Sequence, residues 1–367
     1  MSTIRSFIKR EPVLLAAAVA AVLSCLLVPP DREYLSYFDL RTLALLYCLM
    51  VVVSGLRQAG LFAHMAHIFC RKAGSVRAMG LVLVLLCFFS SMLITNDVAL
   101  LTFVPFAVVV LGMADRKGDL IHVVVLQTVA ANLGSMLTPV GNPQNLYLYS
   151  FYDLSMEEFL SVLYPFSALS LVLLTAACFL LSNEPLELTL GEAPGIKTGR
   201  LWIYLGLFAV CLLSVARVLT WPWMLALVVL LLLFLDRQTL VRADFMLLMT
   251  FSAFFIFAGN MARVDVVADL IRRILAGREY LTSLLASQVI SNVPAALLIA
   301  DFTDQSHALL LGVNIGGLGT PIASLASLIS LKLYVHSDHA RPGRYLLEFT
   351  AGNVLLLLLL SLLVLTL

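Results

Sequence analysis

Long apolar runs alternate with short polar breaks along this chain. A membrane-spanning helix needs about 20 mostly apolar residues. That criterion picks out nine candidate crossings, at 12–28, 40–56, 119–149, 160–182, 201–219, 222–236, 243–259, 306–334 and 345–366. Two of them, 119–149 and 306–334, are too long for one plain helix and carry Gly and Pro near their middles. Each is expected to be a helix broken in two. Two further apolar segments, 78–112 and 280–303, have polar tips, "TND" and "SNVP", at their centres. Each is too short for two full crossings with a loop, so each predicts a re-entrant hairpin that enters and leaves on one side. After Gly55 and after Gly259 the pattern turns amphipathic, and "VADLIRRILAGR" predicts a helix lying at the membrane surface.

Composition turns this pattern into a class. The chain is 61% hydrophobic and 12% charged, where a soluble domain has about 45–50% and about 25%. It reads as an all-α polytopic membrane protein. The net charge is +1, with no basic patch interleaved with aromatics, which excludes nucleic acid as a partner. The first apolar run follows Arg5, Lys9 and Arg10 but lacks a convincing small-residue cleavage site and is followed by many further apolar runs, so it is expected to be a membrane helix rather than a signal peptide. The six cysteines include no C-x-x-C pair and read as small hydrophobes. No G-x-S-x-G or H-E-x-x-H occurs, which argues against a membrane enzyme. No G-x-x-x-x-G-K-[ST] occurs either, so any use of ATP needs a partner ATPase.

Charge sets an orientation. Lys and Arg gather at 5–10, 71–77, 116–117, 197–200, 237–242 and 341–344, whereas 150–158 carries only acids. The positive-inside rule then places the N-terminus in the cytoplasm. Nine crossings put the C-terminus outside, in a bacterial cytoplasmic (inner) membrane.

Self-comparison organises the chain further. "ANLGSMLTPVGNPQN" (131–145) aligns with "VNIGGLGTPIASLAS" (313–327) at a constant spacing, pairing Asn132 with Asn314, Gly134 with Gly316, Thr138 with Thr320 and Pro139 with Pro321. Upstream, "LITNDVALL" pairs with "VISNVPAAL", Asn96 with Asn292. The expected plan is an N-terminal helix (1–37), a first repeat (38–181), a linker (182–200), two scaffold helices (201–236) and a second repeat (237–367). The two hairpins fall on opposite sides of the membrane, so the repeats are inverted. Inverted repeats with discontinuous helices are the architecture of secondary transporters, whose sites lie near the bilayer midplane.

The breaks supply the candidate site. Non-helical backbone survives at membrane depth only against protein or a wet cavity. Helix N-termini there favour anions and C-terminal carbonyls favour cations. The first tip offers Thr95, Asn96 and Asp97, and the second Ser291 and Asn292. The first broken helix offers Gly134, Thr138, Gly141, Asn142, Gln144 and Asn145, with Pro139 and Pro143 stopping the helix. The second offers Gly316, Thr320, Ser324 and Ser327. An ionisable group inside the membrane is a functional candidate by default, so Asp97 is expected to exchange a proton. The bland alternatives are that Asn132 and Asn314 only glue helices together, that Asp97 only caps a hairpin helix, and that His64 and His67 sit on a solvated face. No metal site or cofactor is expected, apart from a coupling ion.

"TNDVALLTFVP", "ANLGSMLTPVGNPQN", "SNVPAALLIA" and "VNIGGLGTPIASLASL" resemble the ion transporter superfamily. That group includes arsenite permeases, citrate-type carriers, divalent anion–sodium symporters and NhaD-type sodium–proton antiporters. The resemblance implies a scaffold domain, a transport domain holding both hairpins and both broken helices, elevator-like alternating access and a homodimer. It implies that Asn96 and Asn292 are hairpin-tip asparagines, and that 134–145 and 316–327 are the paired broken-helix loops. The tips here, Thr95-Asn96-Asp97 and Ser291-Asn292-Val293, depart from the Ser-Asn-Thr of sodium-coupled dicarboxylate carriers. The Asn-Asp tip is similar to the arsenite permease branch, and "GNPQN" to the generic anion permeases and antiporters. The expected function is ion-coupled secondary transport of a small anion, a carboxylate or an oxyanion such as arsenite, with a proton ahead of sodium at the hairpin tips. The alternative is a sodium–proton antiporter.

Overall fold

The computed structural model describes residues 11–113, 116–186, 192–337 and 340–366. The basic cluster at 5–10 and the centre of the 182–200 linker lie outside the described residues. All regular structure among the described residues is helical. In chain order the helices are α1 (Pro12–Ser24), α2 (Leu40–Gln58), α3 (Leu61–Cys70), α4 (Val76–Ser91), α5 (Asn96–Met113) and α6 (Lys117–Ser135). Then come α7 (Pro143–Phe151), α8 (Met156–Cys178), α9 (Thr198–Val215), α10 (Trp221–Leu235) and α11 (Phe245–Ala262). The last six are α12 (Asp265–Leu275), α13 (Glu279–Ile290), α14 (Asn292–Ile299), α15 (Ser306–Ile315), α16 (Leu325–Val335) and α17 (Pro342–Thr366).

Six helical segments among the described residues are long and apolar enough to cross a membrane: α2, α5, α8, α9, Arg237–Ala262 and α17. The protein is therefore a multi-pass membrane protein. One hairpin arm differs from expectation. At 18 residues, α5 is about 27 Å long, enough to cross by itself. Pro105 sits inside it without ending it. In contrast α1, expected over 12–28, ends at Ser24.

Local chemistry explains most boundaries. Asp39 and Asp244 precede the paired spans α2 and α11, and each accepts a backbone N–H three residues on, from Thr42 and Leu247, both at 3.0 Å. Ser75, Ser155 and Asn142 cap α4, α8 and α7 in the same way. The spans α2 and α11 run antiparallel. One cavity joins the end of α2 (Val53, Arg57) to the start of α11 (Asp244, Leu247). A second joins the start of α2 (Asp39, Arg41) to the end of α11 (Phe255, Gly259).

Packing follows a matched pattern. Helix α4 packs on α6 as α13 packs on α15, and α5 packs on α16 as α14 packs on α7. Each hairpin's second arm thus lies on the second half of the other broken helix. Around this core, α2 packs against α9 and α10, and α11 against α1. The outward faces of α10 and α17 are apolar, with Leu230, Phe234, Leu355 and Leu358 exposed.

The linker is docked rather than free. Val76 N–H donates to Glu184 O (3.2 Å), Leu186 N–H to Gly74 O (3.1 Å) and Lys197 N–H to Ala59 O (3.0 Å). Gly60, at φ 87°, admits this contact, because a Cβ there would stand 2.9 Å from Gly195 O. One histidine of α3 also departs from expectation. His64 Nδ1 lies 2.9 Å from Pro194 O, and His67 is buried rather than solvated, because the docked linker and the core cover α3 from two sides.

A polar clasp holds α11 to the loop after α1. The Arg263 guanidinium meets Asp31 (2.7 Å), Glu33 (3.3 Å) and Tyr37 Oη (2.9 Å). Asn260 Nδ2 donates to Ser24 Oγ and Tyr34 Oη, both at 2.9 Å. The Arg263 hydrogen bond holds the Asp31 carboxyl below the usual carboxylate range. A carboxylate whose pKa is depressed in the folded state stabilises it above the unfolded pKa, about 3.9 for Asp, and loses that effect as pH falls through the folded value. Asp31→Asn is therefore expected to lower thermal stability in detergent near neutral pH. The gap from the wild type should close as pH falls below about 3.9, because the protonated acid no longer pairs with Arg263. A gap that does not change with pH would show the clasp to be a packing contact.

Candidate functional site

The four breaks converge and hold one another by hydrogen bonds that repeat in the two halves. At each hairpin tip, the backbone N–H of the asparagine donates to the broken-helix loop: Asn96 to Gly141 O (3.1 Å) and Asn292 to Ala323 O (3.0 Å). At each Thr-Pro pair, the hydroxyl reaches back to the hairpin's first arm: Thr138 to Met92 O, and Thr320 to Gln288 O (3.3 Å). Gly134 and Gly316 allow this crossing. A Cβ at Gly134 would fall on the Phe88 carbonyl, and one at Gly316 would stand 2.9 Å from Leu284 Cα. These partners occupy equivalent positions in the two hairpins.

Two buried asparagines join the halves. Ser324 Oγ donates to Asn132 Oδ1 (3.0 Å), and Asn132 Nδ2 donates to Ser327 Oγ (3.1 Å). Reciprocally, Asn142 Nδ2 donates to Asn314 Oδ1 (3.3 Å), and Asn314 Nδ2 donates to Asn145 Oδ1 (2.6 Å). Asn132 also accepts from Asn96 Nδ2 (3.1 Å), which brings the first tip into the same network. One helical turn away, Thr128 and Ser330 pair at 2.5 Å, extending the polar seam between α6 and α16. Asn132 and Asn314 were not among the candidate site residues read from the sequence. Their signal was the repeat itself, which matches both.

The halves satisfy their helix ends differently. The last carbonyls of a helix lack intrahelical partners. At the end of α6, Asn145 Nδ2 donates to Met136 O (2.9 Å) and Thr138 O (3.3 Å). At the end of α15, Gln288 Nε2 reaches across from the hairpin to Gly316 O (2.6 Å) and Leu318 O (2.8 Å). Gln288 occupies the position of Met92, and Ser327 that of Asn145, so the amide has changed sides. Gly319, at φ 103°, lies against the Gln288 amide.

The remaining candidates fall around this core. Gly141 lets the chain pass over the carbonyl of Ser135. Gln144 is buried in α7 and takes no part in the cycle. Pro143 does not stop a helix but opens α7, because a first-turn proline loses no intrahelical bond. Ser291 holds a left-handed backbone at φ 73°, making the second tip a one-residue turn, a conformation that costs a non-glycine residue about 1–3 kcal/mol. Asp97 lies in the first turn of α5 and is not its cap. Its N–H is taken by Asn96 Oδ1 (3.0 Å), and no donor among the described residues reaches its carboxylate. No three His, Cys, Asp or Glu side chains among the described residues stand close enough to share a metal ion.

Beside the first tip is a cavity of about 240 Å³. Thr95, Asp97, Val98 and Asn142 form one wall, and Leu49, Val53 and Arg57 of α2 with Arg242 and Asp244 form the other. The two arginines were not read as site residues, since each lies at the end of an apolar run and only the tertiary fold turns both toward the tip. At the other end of α2 a second cavity, about 390 Å³, is lined by Asp39, Arg41, Tyr147, Ser150 and Asp301.

The citrate transporter family model matches residues 3–310. The chain belongs to that family. It is a membrane transporter, not an enzyme. It is 31% identical to an uncharacterized transporter of Methanocaldococcus jannaschii over 339 residues, covering 91% of this chain and 92% of the relative. It is 30% identical to the inner membrane protein YbiR of Escherichia coli over 309 residues, 82% of each chain. A shorter match, 30% over 138 residues, covers 38% of this transporter and 28% of the silicon efflux transporter of Oryza sativa subsp. japonica.

The glycine crossing is open to test. Gly134→Ala puts a methyl on the Phe88 carbonyl and is expected to cost about 1–3 kcal/mol, as overpacking does. Gly206→Ala, on α9 with nothing within 4 Å of the added carbon, should raise the unfolding temperature in detergent slightly, since alanine is the better helix former. Equal temperatures for the two variants would show that α4 slides freely on α6.

Proposed function

We propose that the protein is a secondary active transporter of a small anion, a carboxylate or an oxyanion, coupled to protons rather than sodium. The observation that carries this reading is the cavity at the first hairpin tip. It places an unpartnered carboxylate, Asp97, beside an arginine-bearing wall within a citrate transporter family member. The carbonyls at the ends of α6 and α15, which a sodium ion would use, already accept from Asn145 and Gln288. That leaves Asp97 as the exchangeable ionic group at the tip. Thr95 then serves as a neutral donor to the anion from the cavity wall, while Asn96 and Asn142 hold the tip in shape.

The reading includes inverted repeats and elevator-type movement. The antiparallel run of α2 and α11 and the matched packing of the two halves support inversion. The reciprocal asparagine cycle ties both hairpins and both broken helices into one body, which suits rigid movement against α2, α9 and α10. Cavities at both ends of α2 suit access from two sides in turn. We place the protein in the bacterial inner membrane as a homodimer, with the N-terminus cytoplasmic and the C-terminus outside. The E. coli relative is itself named as an inner membrane protein. Lipid and the anion are then its working partners, with no ATPase required.

The test is internal pH in liposomes holding the purified protein and a pH dye. Adding citrate, succinate or arsenite under an imposed voltage is expected to acidify the interior. Asp97→Asn should abolish that acidification while leaving exchange of labelled anion across the membrane. A pH change driven only by sodium or lithium would replace this reading with cation antiport. Unaltered acidification in Asp97→Asn would remove Asp97 from the coupling.

A further inference from the structure

Four charged side chains line the first cavity: Arg57 from the end of α2, Asp97 from the hairpin tip, and Arg242 and Asp244 from the segment leading into α11. They are not equally committed. One Asp244 oxygen caps α11 through Leu247 N–H (3.0 Å). The exposed side chains of Arg57 and Arg242 make no ion pair or hydrogen bond among the described residues. Elsewhere in the molecule arginines near carboxylates close on them, as Arg263 does on Asp31 (2.7 Å), Arg217 on Asp153 (2.8 Å) and Arg200 on Asp236 (3.3 Å). Two guanidiniums left open around a cavity are donor forks suited to a carboxylate or oxyanion. An adjoining cavity, which shares Leu101 and Ile329 with the first, adds Lys332 of α16 and His336 just past its end.

The second cavity is more acidic. Its charged lining is Arg41 with Asp39 and Asp301, one cation against two carboxylates. An anion is therefore opposed at that end of α2, whereas the first lining is balanced and becomes net positive once Asp97 is protonated.

We infer that Arg57 and Arg242 are the anion-selecting residues of this transporter, and that they make the site asymmetric, binding the anion more tightly from their own side of the membrane. This rests on the anion-transport reading and adds to it. The arginines belong to spans outside the cross-braced core, whereas Thr95, Asp97 and Asn142 belong to the core. When the core moves, the anion leaves the guanidiniums behind, and its affinity falls where it is to be released. The same charge count couples the proton. With Asp97 ionised, the two arginines and two aspartates cancel. With Asp97 protonated, the lining carries one net positive charge and takes up a monoanionic group. Proton and anion thus load together and leave together.

The test is labelled citrate flux in membrane vesicles of both orientations, comparing wild type, Arg57→Gln with Arg242→Gln, and Arg57→Lys with Arg242→Lys. The wild type is expected to show a lower KM from the arginine side. The double Gln variant should raise that KM by about tenfold or more, the scale of a lost charge-assisted hydrogen bond, and leave the KM from the other side unchanged. The double Lys variant should keep most of the wild-type difference. The KM from the far side serves as the control for folding in each variant. Wild-type flux with an unchanged arginine-side KM in the double Gln variant overturns this inference alone. Absence of wild-type flux with citrate, succinate or arsenite overturns the anion reading, and this inference with it.

Discussion

An unpaired backbone amide or carbonyl at membrane depth costs several kcal/mol, and this chain breaks its helices four times in its apolar interior. The core is organised around meeting that demand. Each tip asparagine uses its own backbone N–H to occupy a loop carbonyl, at Gly141 or Ala323. Each broken helix hands its terminal carbonyls to a side-chain amide, Asn145 in one half and Gln288 in the other. Once these bonds are made, little freedom remains in where the tips lie, and their position defines the cavity.

The cross-brace of Asn132 and Asn314 has a further consequence. Neither broken helix is stabilised by its own repeat alone. Asn132 needs Ser324 and Ser327, and Asn314 needs Asn142 and Asn145. A transporter that moves its site must keep these partners together, since breaking the cycle would leave several buried amides unpaired in apolar surroundings. In the elevator reading proposed above, the two halves of the core therefore travel as one piece, and the relative movement falls between the core and spans such as α2.

Chemically the two halves are not equal. The first tip carries Asp97 where the second carries Val293. The first loop supplies amides at 142 and 145 where the second supplies hydroxyls at 324 and 327. The pattern of donor and acceptor is kept while the groups change, so the frame is symmetric and the ionic chemistry is concentrated at one tip. The arginines at the end of α2 and before α11 increase that concentration, and the acidic lining at the opposite end reduces it there.

Much of this was legible in the sequence, because lipid imposes rules that act on single residues. Apolar length marked the helices, Gly and Pro marked the breaks, and the aligned Asn, Gly, Thr and Pro positions marked the paired loops. The membrane class follows from those alone, and the paired motifs carried the resemblance to the ion transporter superfamily. Side-chain partnership was not legible. Nothing local distinguishes Asn132 as the hub from Gln144 as a bystander, since both are amides beside a break. Pro143 reads as a helix stop until the fold shows it opening α7. Gln288 could take over the task of Asn145 only because the hairpin crosses α15 at that point. Arg57 and Arg242 lie far apart in the chain, each an ordinary charge at the end of an apolar run. They share a cavity with Asp97 because two antiparallel spans bring distant parts of the sequence together. Periodicity and burial are properties of a segment and can be read along the chain, whereas the electrostatics of a cavity depends on distances that exist only once the chain has folded.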